Sequence, residues 1–402
     1  MLFSSFKTGF EFRSGIPNPF PWQEELFRWF MTGSVERALD IPTGLGKTTV
    51  MAIWLFARAE GAKVPRRLVY IVDRRAVVDQ ATDVANALRE AVGRHQALGA
   101  ALSLNGRPLS ISTLRGQHVD NKQWLEDPAS PAIIVGTIDM IGSRLMFEGY
   151  GVSRKMRPYH AGLLGADALM VLDEAHLVPP FEMLLDAIAS NSAGVGPRSA
   201  GARAVVPPFK LMSLSATGRT RRVRPFTLTD KDLEHPIVRQ RLEAKKRLVL
   251  KPLKIEGEPP PAQLDSLLAD SLAEEAWQVA ERGAKAVRVI VFCNKRKVAE
   301  EAKKALERLA KAADQAEIKG HTELFVGGRR VYERDRAAAR LRELGFIAGS
   351  KVTLTKPAFV FATSAGEVGV DLDADHMASD LVEWERMVQR LGRVNRRGEG
   401  NA

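Results

Sequence analysis

Six short runs of this 402-residue chain are apolar with little or no alternation: 67–72, 132–136, 168–173, 210–213, 287–293 and 358–363. A strand with one wet face alternates polar and apolar side chains. Several of these runs are rich in Val and Ile throughout, as in strands covered on both faces. Between them lie stretches of helical periodicity at 48–59, 75–88, 180–188, 262–281 and 295–312. Strands alternating with helices predict an α/β chain with mostly parallel sheets. The Gly/Pro-rich stretch 192–208 reads as a surface loop. A charged segment, 229–251, and a proline-containing stretch, 256–261, follow the fourth run, which divides the chain into two lobes, 1–228 and 229–402.

Composition narrows the class. No run of about 18 apolar residues exists, so no membrane helix is predicted, and the N-terminus lacks the apolar core of a secretory signal. Cys293 is the only cysteine, which excludes an internal disulfide and suits a reducing cytoplasm. One cysteine and seven scattered histidines give no zinc spacing. The net charge of +11 fits a polyanionic partner, although a basic protein without one fits equally.

The segment Ile41-Pro-Thr-Gly-Leu-Gly-Lys-Thr-Thr49 precedes a predicted helix. Glycines there let backbone N–H groups wrap a phosphate, and a helix N-terminus adds positive potential. Thr43, Gly44, Gly46, Lys47, Thr48 and Thr49 are therefore candidate ATP-binding residues. Lys47 would reach the outer phosphates and the Thr48 hydroxyl would hold Mg²⁺. The strict phosphate-loop pattern has glycine where Ile41 stands, and a chance Gly-Lys-Thr turn is the alternative. Gln23, after Pro19-Phe-Pro-Trp22, is a candidate reader of the adenine edge, with Phe6 or Phe20 as its aromatic neighbour; simple packing is the alternative.

Leu169-Met-Val-Leu-Asp-Glu-Ala-His176 is an apolar strand ending in two acids and a histidine. Strand ends of parallel sheets face the ligand crevice. Asp173 is the expected Mg²⁺ ligand, through water, Glu174 the group that polarises the attacking water, and His176 the sensor of the terminal phosphate. A strand-end ion-pair cluster would look similar. Leu214-Ser-Ala-Thr217 closes another strand and either couples hydrolysis to lobe movement or caps a helix.

In the second half, Met387-Val-Gln-Arg-Leu-Gly-Arg-Val-Asn-Arg-Arg397 repeats cations along a helix and its end. An ATPase divided between lobes needs arginines to stabilise transferred charge. Arg393 and Arg396, three apart and so on one helix face, are the candidates, with Gln389 on the phosphates or the water. In Ala362-Thr-Ser-Ala-Gly-Glu-Val-Gly-Val-Asp371, Thr363 is a candidate ligand of a nucleic-acid phosphate. Gly369 would permit close backbone approach to the nucleotide, and Asp371 would accept from the ribose or an arginine. A basic surface helix and a structural turn are the alternatives. Further candidate phosphate ligands at strand ends are Arg74, Arg75, Thr113, Arg115 and Thr137. Together they suggest a track along a strand without base readout; solvated surface charges are the alternative.

The motif order resembles superfamily-two helicases with a DEAH box, whose phosphate loops commonly lack the glycine missing at position 41. Longer stretches resemble the helicase–nuclease of type I CRISPR systems, subtype I-U (I-G). These are Gly136-Thr-Ile-Asp-Met-Ile-Gly-Ser-Arg-Leu-Met-Phe147, Gly149-Tyr-Gly-Val-Ser153, His160-Ala-Gly-Leu-Leu164 and Trp384-Glu-Arg-Met-Val-Gln-Arg-Leu-Gly-Arg-Val-Asn-Arg-Arg397. The resemblance implies two tandem RecA-like lobes, the cofactors ATP and Mg²⁺, and single-stranded DNA as substrate. It also implies recruitment by an RNA-guided surveillance complex. One departure is plain: no histidine is followed by aspartate, so the family's HD nuclease is not expected in this chain. The sequence stops soon after Arg396, so the second lobe is expected to be incomplete. A helicase acting on RNA or in DNA repair, and a clamp that does not hydrolyse, are the other readings.

Overall fold

The computed structural model describes residues 19–35, 38–115, 122–190, 207–216, 225–255, 257, 259–327, 331–367 and 371–400. Gly369, Thr217 and Phe6 lie outside them, and only the backbone of Arg75 is described. The chain divides into two compact units, Met1–Val238 and Arg239–Ala402.

The first unit carries β1 (Ala38–Asp40), β2 (Arg67–Val72), β3 (Ser110–Leu114), β4 (Ala132–Thr137), β5 (Ala168–Leu172), β6 (Lys210–Ser215) and β7 (Phe226–Thr227). They form one sheet in the order β3-β4-β2-β5-β6-β1-β7, and every pairing is parallel. β2, β4 and β5 are buried at every residue, which is why their sequences do not alternate. On one face Val69, Ile71, Ile134, Met170 and Leu172 join a core with Ile141, Leu164 and Leu185 of the covering helices.

The second unit carries β8 (Arg288–Phe292), β9 (Thr322–Phe325), β10 (Ala358–Ala362) and β11 (His376–Ser379). Their order is β11-β8-β10-β9, again parallel. Successive residues of β8 enter different cores: Val289 and Val291 pack beneath helices Pro261–Val279 and Arg296–Ala312, whereas Ile290 and Phe292 pack with Leu341 and Phe346. The six apolar runs do not include β1, β3, β7, β9 or β11: four of these have two to four residues, too few for a pattern, and β3 reads Ser-Ile-Ser-Thr-Leu, too polar for an apolar run.

The boundary expected at 228 lies at 238 instead. Asp232 ties the intervening segment to the first unit, accepting from the Trp22 backbone at 2.6 Å and from the Thr229 backbone and hydroxyl at 2.9 Å. Beyond the helix Trp384–Leu391, Val394 makes a one-residue parallel bridge with Ala374 just ahead of β11.

Candidate nucleotide site

The phosphate loop leaves the end of β1. Gly44 and Gly46 take φ of 87° and 78°, a region in which a side chain is strained. Lys47–Thr49 then form a single 3-10 turn that opens helix Val50–Ala59. Thr49 sits at the N-cap, donates to the Gly46 carbonyl at 2.8 Å and accepts from Gln23 Nε2 at 3.0 Å. Gln23 is fully buried, and its Oε1 accepts from the Phe20 backbone at 2.8 Å. One end of that amide thus caps helix Pro21–Met31 and the other fastens the helix to the phosphate loop.

Sheet order brings the acids to this loop. β6 alone separates β5 from β1, so residues 127 apart in sequence meet: Lys47 Nζ donates to Glu174 Oε1 at 2.9 Å. Glu174 holds φ at 48°, in the left-handed region. That reversal after β5 directs its side chain back toward Lys47. His176, almost wholly buried, places Nδ1 3.5 Å from Glu174 Oε2 and 3.4 Å from the Ser215 hydroxyl at the end of β6.

Asp173 is buried, and its Oδ2 accepts from the Tyr70 hydroxyl at 2.9 Å while Oδ1 accepts from the Glu174 backbone at 3.0 Å. Burial, reinforced by the neighbouring Glu174 charge, pushes its carboxyl up to about 6 against the opposing pull of Lys47. Motif reading did not single out Tyr70, the partner of Asp173. Burial holds its phenol well above the usual range, Asp173 adds to this, and a hydrogen bond with the Thr48 side chain opposes it. The Tyr70 hydroxyl thus anchors the strand-end aspartate. The available signal was a lone phenol inside the aliphatic run Leu68-Val69-Tyr70-Ile71-Val72.

In the second unit the basic segment follows a different geometry from that expected. The helix ends at Leu391 with Gly392 at its C-cap, so Arg393 and Arg396 do not share a helix face. Asn395, at φ 44°, turns the chain between them. Both still converge on Asp371, Arg396 Nη1 at 2.7 Å and Arg393 Nη1 at 3.9 Å, while Arg393 Nε and Nη2 donate to the Glu367 carbonyl at 3.0 and 2.6 Å. Gln389 is buried. Arg390, not singled out from sequence, is fully buried; it donates to Glu367 Oε1 at 2.8 Å and Asp380 Oδ1 at 2.6 Å, with its guanidinium 5.2 Å from the Phe292 ring. Arg386 adds a bond of 2.7 Å to Glu367. Burial pushes the Glu367 carboxyl up, but these two arginines together outweigh it and hold it below its ordinary value.

The proposed strand contacts divide. Thr113 belongs to β3 itself rather than to its exit; it is buried with its hydroxyl 3.3 Å from Thr82, so the surface-ligand expectation is corrected. Thr137 is buried too, and its hydroxyl caps helix Ile138–Leu145 by accepting from Met140 N at 3.4 Å. Thr363 is buried at the end of β10. Arg74 and Arg115 reach the surface, paired with Asp73 at 3.4 Å and with Asp79.

Comparison with known proteins fits this geometry. Residues 20–224, about half the chain, match the family model described as DEAD/DEAH box helicase. The chain belongs to that family. Residues 285–399 match a second model, described as CRISPR-associated nuclease/helicase Cas3, C-terminal. No curated protein matches the helicase in sequence. Among solved structures, the DUF1998 helicase MrfA bound to DNA is 16% identical with a TM-score of 0.57; the match covers 97% of this chain and 48% of that one. Cas3 of T. fusca with ATP is 17% identical at 0.56, covering 96% and 44%. The DEAD-box helicase Mss116 bound to ssRNA is 16% identical at 0.57, covering 98% and 71%. At these identities the likeness shows the shared fold of two RecA-like lobes. The helicase spans about half the length of the MrfA and Cas3 chains.

Proposed function

We propose that the helicase couples ATP hydrolysis to movement along single-stranded DNA in type I CRISPR interference, recruited by an RNA-guided surveillance complex in the cytoplasm. The supporting observation is the pairing of Lys47 with Glu174 beside Asp173, itself bonded to Tyr70, in a chain whose other unit matches the Cas3 C-terminal model. The Thr48 hydroxyl and the Asp173 carboxylate are hard oxygen donors of the kind Mg²⁺ takes. Tyr70 already holds Asp173 in place, and a carboxyl raised to about 6 by burial is suited to a cation. Among the described residues no three His, Cys, Asp or Glu side chains gather as a metal cage. That suits an ion shared with nucleotide phosphates.

Each residue then has a task. Lys47 exchanges the Glu174 carboxylate for phosphate oxygens. Glu174, released, orients the attacking water and takes its proton. His176 relays the state of Glu174 to Ser215. Thr43, Gly44, Gly46 and Thr49 cradle the phosphates, Gln23 joins adenine recognition to the loop, and Gly369 permits close approach. Arg393 and Arg396 neutralise charge in the transition state, with Asp371 and Gln389 positioning them and the water. Arg74, Arg75, Arg115 and Thr363 grip the strand's phosphates.

ATPase rates with single-stranded DNA, single-stranded RNA and duplex DNA test this reading, and single-stranded DNA should stimulate most. Stronger stimulation by RNA would transfer the reading to an RNA helicase. Residues 374–383 hold β11 rather than a protruding hairpin, so tailed duplex should be unwound faster than blunt duplex.

A further inference from the structure

The stretch 138–157, singled out for its resemblance, builds a feature that ATP hydrolysis does not use. Helix Ile138–Leu145 leaves β4, and helix Pro179–Ala189 follows the turn after β5. Only β2 separates those strands, so the two helices rise on the edge that carries Asp173. Between them lies a cleft of about 630 Å³. Its floor is apolar: Ile138, Phe181 and Leu184. Gly142 is required there, because a β-carbon would come within 2.8 Å of the Phe181 ring. On its rim stands a sharply turned loop, with φ of 61°, 55° and 71° at Phe147, Gly149 and Gly151. That loop leaves Phe147 49% and Tyr150 64% exposed, although aromatic rings ordinarily seek cover.

Charge is divided across the cleft. Arg154 and Lys155, in the exposed turn Arg154–Met156, have no ion-pair partner among the described residues. Inside, Glu148 is matched by Arg157 at 3.0 Å, whereas Asp139 is exposed and unpaired among the described residues. A phosphodiester is repelled by Asp139 and attracted by the two outer cations. An unpaired base meets an apolar floor, two free ring faces and a carboxylate that accepts from an exocyclic amine. Aromatic platforms bordered by cations are how proteins hold single strands without reading sequence.

We propose that this cleft binds the unstacked bases of a single-stranded nucleic acid, with Tyr150 and Phe147 stacking on them, Asp139 accepting from their amines, and Arg154 and Lys155 on the phosphates. The inference rests on the reading of the helicase as a strand-tracking motor. It adds a base-contacting site to a track otherwise made of phosphate ligands, and it carries a composition preference: thymine has no exocyclic amine, whereas cytosine and adenine do.

The test is equilibrium binding by the full chain of fluorescent (dC)20, (dT)20 and an abasic 20-mer. Tyr150→Ala should weaken binding of the base-bearing strands by between about five-fold and about a hundred-fold, leave the abasic strand unchanged, and melt like the parent protein. Tyr150→Phe should restore the affinity. Wild type should prefer (dC)20 to (dT)20, and Asp139→Ala should erase that preference. Unchanged binding of base-bearing strands by Tyr150→Ala overturns the cleft while the motor reading stands, and is the result expected if an apolar peptide were the occupant. Absence of binding to any strand by wild type overturns both.

Discussion

Two buried acids of this helicase, Asp173 in the first unit and Glu367 in the second, stand near the ends of parallel strands and have opposite fates. Asp173 has only a phenol and a backbone N–H as donors and a second carboxylate beside it, and its carboxyl rises to about 6. Glu367 receives two arginines, Arg386 and Arg390, and stays below its ordinary value despite burial. A buried acid left under-neutralised is arranged for an incoming cation, whereas one saturated by guanidinium groups holds the fold. The same contrast separates Lys47, with one displaceable carboxylate, from Arg390, bound on several sides.

The strongest break of the comparison is chemical. Glu174→Gln should lower steady-state phosphate release by about 10²–10⁴-fold while nucleotide binding persists, the size expected for a lost general base. Near-normal turnover in that variant would place the base elsewhere. Lys47→Ala should lose turnover and nucleotide affinity together. Arg393→Ala should cost on the order of 10³-fold in turnover, as arginine fingers do, and an unchanged rate would return it to a structural role beside Glu367.

Stability sharpens the contrast next. Glu367→Gln leaves buried arginines under-neutralised and should cost about 3–5 kcal/mol in denaturant unfolding. Asp173→Asn should do the reverse without Mg²⁺ or nucleotide, gaining on the order of 1–3 kcal/mol at neutral pH. The signs follow from linkage. Asp173's folded value lies above its unfolded one, so its protonated form stabilises at low pH, and that contribution is lost as pH rises through about 6. The advantage of Asp173→Asn should therefore shrink toward pH 4. Glu367 is shifted downward, so its contribution is present above the ordinary carboxylate range and fades as pH falls below it. Parallel melting curves of the two variants across pH 4–8 would erase the distinction.

The smallest effects lie outside both clusters. Log affinity for a single strand should fall with log salt by about 0.7 per phosphate neutralised. Arg74→Ala should flatten that slope slightly, because Asp73 already competes for the guanidinium; an unchanged slope would remove Arg74 from the track. Burial pushes the Cys293 thiol up to about 12. Alkylation of the native chain at pH 8 should be far slower than after unfolding, and equal rates would contradict the packing of β8 and β10 around it.

Legibility differed between the two clusters for a physical reason. The phosphate loop and the DEAH strand are local: glycine spacing, a lysine at a helix start and acids at a strand end are each set within about ten residues. Gln23 is legible as a candidate, but not its hydrogen bond to Thr49, which depends on where helix Pro21–Met31 packs. Arg393 and Arg396 were identified as residues yet misplaced on a helix, because the left-handed turn at Asn395 has no pattern of its own. Thr113 and Thr137, candidate strand-end ligands in the sequence, lie within β3 and β4 and are buried, which only the strand pairing decides.

Alone, the sequence determined the α/β class and the parallel strands and singled out the candidate phosphate loop and strand-end acids, because apolar periodicity and phosphate-binding chemistry act over short stretches of chain. Tertiary structure decided the rest. The order β5-β6-β1 joined Lys47 to Glu174 and seated Ser215 against His176. The register of β2 against β5 set Tyr70 opposite Val171, where its hydroxyl reaches Asp173. The packing of Phe181 on Gly142 opened a cleft beside two exposed rings. Each of these depends on which distant strands and helices become neighbours, and the energy that selects neighbours is the burial of whole faces rather than any local signal.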